Sequence, residues 1–375
     1  MLSPGTEPES DHGPIVIVRS PVEADPEQPL HASGAWRSAR TMRKFQPVVG
    51  ALLARSRPDV VHAFGVDIAV AAAAAARRVG ATFVFDDSGE SRVDAYARSV
   101  NELPQGTRRR LLRRVVAMMQ RRVDRAHRRV RATPPALMVA STPQLASDVM
   151  ERYGGPEPLV VRDCFPTARR ADPHDLRVRL GTFPGERLIV FRGDDGPSSG
   201  AEAAVRALRI LGRGHVLVFV GLERPSAAIE SLAKECGVTG RLRYLASLPE
   251  RELLAMLASA DVALLPGEPL DRRARLCLPW PLFEFLAAGV PIAASDLPAV
   301  GALIRDTGAG VLYSARRPTD PGALAEAIRT LLGDPSLAAI CRDRALSVAR
   351  SELSWSRESQ QLVTAYELSV CTDAR

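Results

Sequence analysis

The segment LCLPWPLFEFLAAGVPIAASD, Leu276 to Asp296, sets a single carboxylate, Glu284, among apolar neighbours. Pro281 can open a helix there, because its missing N–H is not needed in the first turn, and Gly289 can close it. A core helix ordinarily excludes an ionised side chain. Near a helix start, Glu284 can face a cleft and accept two hydrogen bonds from hydroxyl groups. Capping the helix or pairing with a cation are the other uses open to it. Of the six histidines, only His62 stands at the end of an expected strand, where it can do acid–base work or serve as a hydrogen-bonded structural group. Between Arg108 and Arg131 lie eleven arginines against one acid, Asp124. Arg109, Arg110, Arg113, Arg114, Arg121 and Arg122 fall outside the apolar stripe Leu111, Leu112, Val115, Met119, Val123, Ala126 and Val130, which recurs at helical spacing. Such a helix packs one side and turns its arginines to water or to an anionic partner such as lipid headgroups. Nucleic acid fits less well, since aromatics are 5% of the chain and none interleaves with these arginines.

Positioning these groups falls to short apolar runs that alternate with helical stretches, the pattern of parallel sheets covered by helices. The first half offers PIVIVRS (14–20), DVVHAF (59–64), TFVFDD (82–87), LMVAS (137–141) and PLVVRD (158–163). The second offers RLIVF (187–191), HVLVFVG (215–221), RLRYLA (241–246), DVALLP (261–266), PIAAS (291–295) and GAGVLY (308–313). The expected fold class is α/β, with two doubly wound Rossmann-like domains facing across a cleft. Residues 1–13 read as a disordered tail, 14–165 as a first domain, and the polar, proline-bearing 166–175 as a linker. Residues 176–350 read as a second domain and 351–375 as a C-terminal helical segment. Ligands of such sheets bind beyond the carboxyl ends of the strands.

With 375 residues, 46% of them hydrophobic and 25% charged, the chain can build two cores. Its net charge is +7. Five scattered cysteines without CxxC spacing point to neither a disulfide framework nor a zinc site, and to a reducing, cytoplasmic setting. The start, MLSPGTEPESDHG, is acidic and lacks the basic and apolar regions of a signal peptide. No apolar run reaches the ~18 residues of a membrane span. Walker-type, HExxH and GxSxG motifs are absent.

Taken together, LPWPLFEFLAAGVPIAASDLPAV, TGAGVLY, DPGALAEAIRTLLGDP and the SW pair at 354–355 resemble the glycosyltransferases of family four, which share the GT-B fold. Upstream, PDVVHAFGVDIAVAAAAAARRVG and TFVFDDSGE are similar to the acceptor-domain strands of that family, so the resemblance runs over roughly residues 58 to 368. It implies retaining transfer of a sugar from a nucleotide diphosphate-sugar donor to an acceptor, without metal or other cofactor. It assigns Glu284 to the donor ribose, Gly193 and Gly200 to the phosphate loop, and the YLASLPERE segment, with Leu245 and Ser247, to the base. It sets Asp86, Glu90 and His62 on the acceptor side as candidate catalytic groups. The last helix of the family usually crosses back to the first domain.

The chain departs from that pattern where positive charge is due. FRGDDGPSSGAE carries Ser199 in place of a basic residue, with Asp194 and Asp195 close by, and Pro281 replaces a lysine. Leu276 stands at the position of a second glutamate, Ser88 at that of a histidine, and the opening strand and its glycine loop are missing or shortened. A departing diphosphate needs cations, so Arg192 and Arg275, with Arg272 and Arg273 behind them, become the candidate suppliers. Two functions follow: an active transferase, or a non-catalytic relative that binds a partner transferase or the inner membrane face through the arginine helix.

Overall fold

The computed structural model describes residues 2–4, 9–12, 15–20, 47–87, 89–91, 93–94, 96–97, 100, 105–165, 176–183, 185–196 and 199–373. The expected linker, 166–175, and Ser88 lie outside these residues. The chain divides into two compact units: Met1–Ala140 with Leu145–Val160 and Leu362–Arg375, and Ser141–Gln144 with Val161–Gln361. Each is α/β, with helices over a parallel sheet. Among the described residues, no helix is long and apolar enough to cross a membrane.

The first unit has a four-stranded parallel sheet made of β4 (Val60–Phe64), β5 (Thr82–Asp87), β6 (Leu137–Ala140) and β7 (Leu159–Val160), paired in sequence order. The alanine run of the sequence forms the helix Val66–Val79, closed by Gly80 in the left-handed conformation at φ 74°. Its small side chains let Ala72, Ala75 and Ala76 pack directly on Val61 and Ala63 of β4. A separate sheet pairs β3 (Ile15–Ser20) with β1 (Leu2–Pro4) in parallel and with β2 (Glu9–His12) antiparallel. Part of the stretch whose composition suggests a disordered tail is therefore strand backbone, paired with Ile15–Ser20.

In the second unit, six parallel strands run in the order β10-β9-β8-β11-β12-β13. They are β8 (Arg187–Arg192), β9 (His215–Val220), β10 (Leu242–Leu245), β11 (Val262–Leu265), β12 (Ile292–Ser295) and β13 (Gly310–Tyr313). The chain starts in the middle, winds outward through β9 and β10, then returns to the other side of β8 with β11. Alternation within each strand feeds two cores. Leu188 and Val190 join the helices Glu250–Leu257 and Trp280–Ala288 on one face. Ile189 and Phe191 join the helices Ala201–Leu211 and Pro321–Gly333 on the other. Both faces are covered, which is why these strands read as continuous apolar runs rather than as alternating ones.

The last helix, Trp355–Asp373, is fastened at its start. The Trp355 amide donates to the Phe165 carbonyl at 2.9 Å. Glu358, fully buried, accepts from the backbone N–H of Arg162 at 3.0 Å and from its guanidinium at 3.1 Å. From Leu362 onward this helix belongs to the first unit.

Candidate functional site

The winding reverses between β8 and β11, and the carboxyl ends of these two strands frame the crevice where ligands of open α/β sheets settle. After β8 the chain turns through Gly193 at φ +145° and reaches Gly200 at φ +85°, which opens the helix Ala201–Leu211. A Cβ on Gly200 would run into the Pro266 carbonyl just beyond β11, so the two strand ends approach as closely as backbone allows. The helix Ala201–Leu211 starts at this end, a favourable place for an anion, and its first amide, on Ala201, donates to Ser199 Oγ at 3.2 Å.

Arg192 closes β8, and its guanidinium turns inward onto Glu284. Nε donates to Oε2 at 3.0 Å and Nη2 to Oε1 at 3.3 Å, while Nη1 reaches the Val220 carbonyl at 3.5 Å. Glu284 is 2% exposed and Arg192 26%. Glu284 sits in the fifth position of the helix Trp280–Ala288, with Pro281 in the first turn and Gly289 as the left-handed cap, as the sequence predicts. At that depth its carboxylate cannot cap the helix, so of the uses open to it the structure displays the cation pair. Gly221 makes the pair possible, because any side chain there would overlap Nη1 of Arg192. Sequence reasoning missed Gly221 and Val220, since nothing in β9 marks them as neighbours of Arg192.

The two aspartates after Gly193 are both engaged. Asp194 accepts from the Gly196 N–H at 2.9 Å and folds the loop, and Asp195 accepts from the Ser226 N–H at 2.6 Å. Ser226 caps the helix Ala227–Cys236, so Asp195 spends its charge at a positive helix end. Arg272 and Arg273 lie with Arg275 on the short helix Arg272–Leu276. Arg275 is exposed. Leu245 is buried, and its carbonyl already accepts from the Gly221 N–H at 2.7 Å, while Ser247 is exposed.

In the first unit, β4 and β5 bring together His62 and Asp86, and the last helix adds Tyr366, which sequence reasoning did not single out. His62 Nε2 lies 3.3 Å from Asp86 Oδ2, and its Nδ1 lies 2.5 Å from the Tyr366 hydroxyl. An ionised Asp86 only accepts, so Nε2–H donates to it and Nδ1 accepts from the tyrosine O–H. Burial, and then the Asp86 charge, push the Tyr366 hydroxyl above its usual range. Glu90 is half-buried beyond Asp87, whose carboxylate accepts from the Gly89 N–H at 2.7 Å. Among the described residues, no group of three His, Cys, Asp or Glu side chains converges as a metal site.

The sequence profile of the family described as Glycosyl transferases group 1 matches residues 174–348. That likeness covers less than half of the chain. This group 1 segment holds Arg192, Gly193, Gly200, Leu245, Ser247, Arg275 and Glu284. The chain is 29% identical over 248 residues to D-inositol 3-phosphate glycosyltransferase of Nocardia farcinica, a match that covers 61% of this chain and 52% of that protein. It thus spans about half the length of the curated relatives it matches. In fold it is similar to sucrose-phosphate synthase from Thermosynechococcus elongatus, with TM-score 0.71 at 17% identity, covering 98% of this chain and 86% of that one. It is also similar to Anabaena HepE, solved in complex with UDP, with TM-score 0.66 at 16% identity, covering 86% and 82%. These likenesses are of fold: the chain has the α/β architecture of GT-B glycosyltransferases.

The arginine-rich helix, Thr107–Ala132, precedes the group 1 segment. Leu112, Val123 and Val130 are buried along one side. Arg110, Arg113, Arg114, Arg121, Arg122, Arg125, Arg128 and Arg129 are exposed on the others, and Arg109 is half-buried. Leu111, 60% exposed, and Met118, 39% exposed, lie among them.

Proposed function

We propose that the protein is a retaining glycosyltransferase of family four that takes a nucleotide diphosphate-sugar donor without a metal ion. The observation that carries this reading is Arg192, a guanidinium held at the carboxyl end of β8 where the sheet reverses, within a loop of two positive-φ glycines. A leaving diphosphate requires positive charge and N–H donors at that place. Asp194 and Asp195, which otherwise weigh against it, are each engaged by a backbone amide that partly offsets their charge. The donor site is proposed to comprise Arg192, Gly193, Gly200 and Glu284, with Leu245 and Ser247 toward the base and Arg275 as a second cation. On the acceptor side, His62, oriented by Asp86, is the candidate base once the Tyr366 hydroxyl gives up Nδ1 to the acceptor, with Glu90 as a further candidate. Incubation with a panel of nucleotide sugars, followed by release of nucleoside diphosphate, tests the reading. No turnover and no nucleotide binding by calorimetry sinks it.

Ser199 and Pro281 favour a second reading, in which the scaffold binds a partner transferase without catalysing transfer. Copurification from cells, with the same panel silent, supports that one. In either reading the arginine helix docks on an anionic membrane surface. Leu111, Arg114, Met118, Arg121, Arg122 and Arg125 recur at three- and four-residue spacing, so two exposed apolar side chains share one face with the cations.

A further inference from the structure

We infer that the Arg192–Glu284 pair is a selectivity latch, which a ribonucleoside diphosphate opens and free inorganic diphosphate does not. The inference rests on the donor reading for its ligand and adds a mechanism of discrimination to it. As it stands the pair is neutral, and its side-on edge is complete: Nε and Nη2 meet both oxygens of Glu284. An approaching anion finds little net field, because the guanidinium charge is matched at hydrogen-bond distance by a carboxylate that is 2% exposed.

Drawing Arg192 onto a phosphate strands that carboxylate inside the protein, and an uncompensated buried charge is strongly unfavourable. Inorganic diphosphate offers nothing in return. A ribonucleoside diphosphate carries a second group suited to the vacated oxygens, the vicinal hydroxyls of its ribose, whose two O–H donors match the two acceptors of Glu284. The exchange is then one for one. Arg192 leaves two carboxylate oxygens for phosphoryl oxygens, and the diol takes over the carboxylate. Nη1 lies against Gly221, where any side chain would collide with it, so the closed position requires glycine there. Val220 holds Nη1 only by a long 3.5 Å contact, so Glu284 is the dominant restraint on the closed position.

The test is calorimetric titration of the full chain at fixed ionic strength with inorganic pyrophosphate, and separately with UDP, GDP and ADP. Wild type should bind at least one of the nucleotides and bind pyrophosphate about a hundredfold more weakly. Glu284→Gln frees the guanidinium and removes the ionised diol acceptor. Pyrophosphate should therefore bind about tenfold more tightly than in wild type, and the nucleotide more weakly, so the gap narrows. Glu284→Asp keeps the charge but is one methylene too short to hold both nitrogens, and should give a smaller gain. Circular dichroism and melting curves establish that each variant is folded. Unchanged or weaker pyrophosphate binding in both folded variants overturns the latch, as does a wild type that binds pyrophosphate and nucleotide alike. A wild type that binds no nucleotide overturns the donor reading instead, while a pyrophosphate gain in Glu284→Gln still upholds the closed pair.

Discussion

The imidazole of His62 meets Tyr366 edge-on, with ring centroids 5.9 Å apart and the phenol oxygen 2.5 Å from Nδ1, although the two residues stand 304 positions apart in the chain. Asp86 holds the opposite nitrogen, so the ring is fixed from both sides and its tautomer is set. If His62 takes the acceptor proton, His62→Ala should lower kcat for transfer by about 10² or more, while calorimetry shows donor binding unchanged. Tyr366→Phe keeps the ring contact and loses only the O–H, so its loss should be smaller. An unaltered kcat in His62→Ala removes His62 from the reaction.

Arg192→Gln removes the cation from the β8 end and leaves Glu284 buried without its partner. Nucleoside diphosphate affinity should fall about ten- to a hundredfold, the range for a hydrogen-bonded charge. Arg192→Lys restores charge without the two-pronged geometry and should recover only part of it. Titration calorimetry reads both.

Glu358 is 1% exposed and receives both the backbone and the side chain of Arg162. Removing one partner of a buried pair costs about 3–5 kcal/mol. Arg162→Ala should therefore lower the denaturant midpoint clearly, because it leaves the buried carboxylate of Glu358 with only a backbone N–H, and Glu358→Ala somewhat less, because the Arg162 guanidinium is a quarter exposed and water can reach it. Urea unfolding followed by fluorescence measures the difference.

On the arginine helix, each basic residue near an anionic bilayer contributes about 1 kcal/mol. Converting Arg114, Arg121 and Arg125 to glutamine should cut binding to phosphatidylglycerol vesicles by about a hundredfold or more in a sedimentation assay, with no effect on neutral vesicles. Raising salt should weaken the wild type in the same direction.

Burial first, and then the charges of Asp195 and Glu230, push the Tyr244 hydroxyl up to about 12 from 10.0. Between those two values the folded protein keeps a proton that the unfolded chain has lost, so stability falls as pH rises through that window and is unaffected below it. Tyr244 stacks on Phe219 at 10° interplanar angle, so phenylalanine preserves the packing. Tyr244→Phe should flatten the alkaline decline between pH 10 and about 12. Thermal melts across that range check it.

The central strands of the second unit are legible because they are short runs buried on both faces, and the helix around Glu284 because Pro281 and Gly289 mark its ends. What lay beyond the sequence were the partners. Glu284 is 92 positions from Arg192, and no periodicity links the end of one strand to the interior of a distant helix. Asp194 and Asp195 looked hostile to a diphosphate because charge is visible in a sequence, whereas the amides that absorb it are not. Tyr366 escaped notice for the same reason, since it gains its neighbours only when the last helix lies along the first unit's strands.

The seam between β8 and β11 also dictates an order of events during synthesis. β8, β9 and β10 are consecutive and can pair as soon as they emerge, but Ile189 must wait for Val262 to be made before its other edge is covered. Loop closure over that separation is the slow, entropically demanding step. Until it happens, the nascent chain carries a bare strand edge beside an unpaired Arg192, and that interval is when a chaperone would find most to hold.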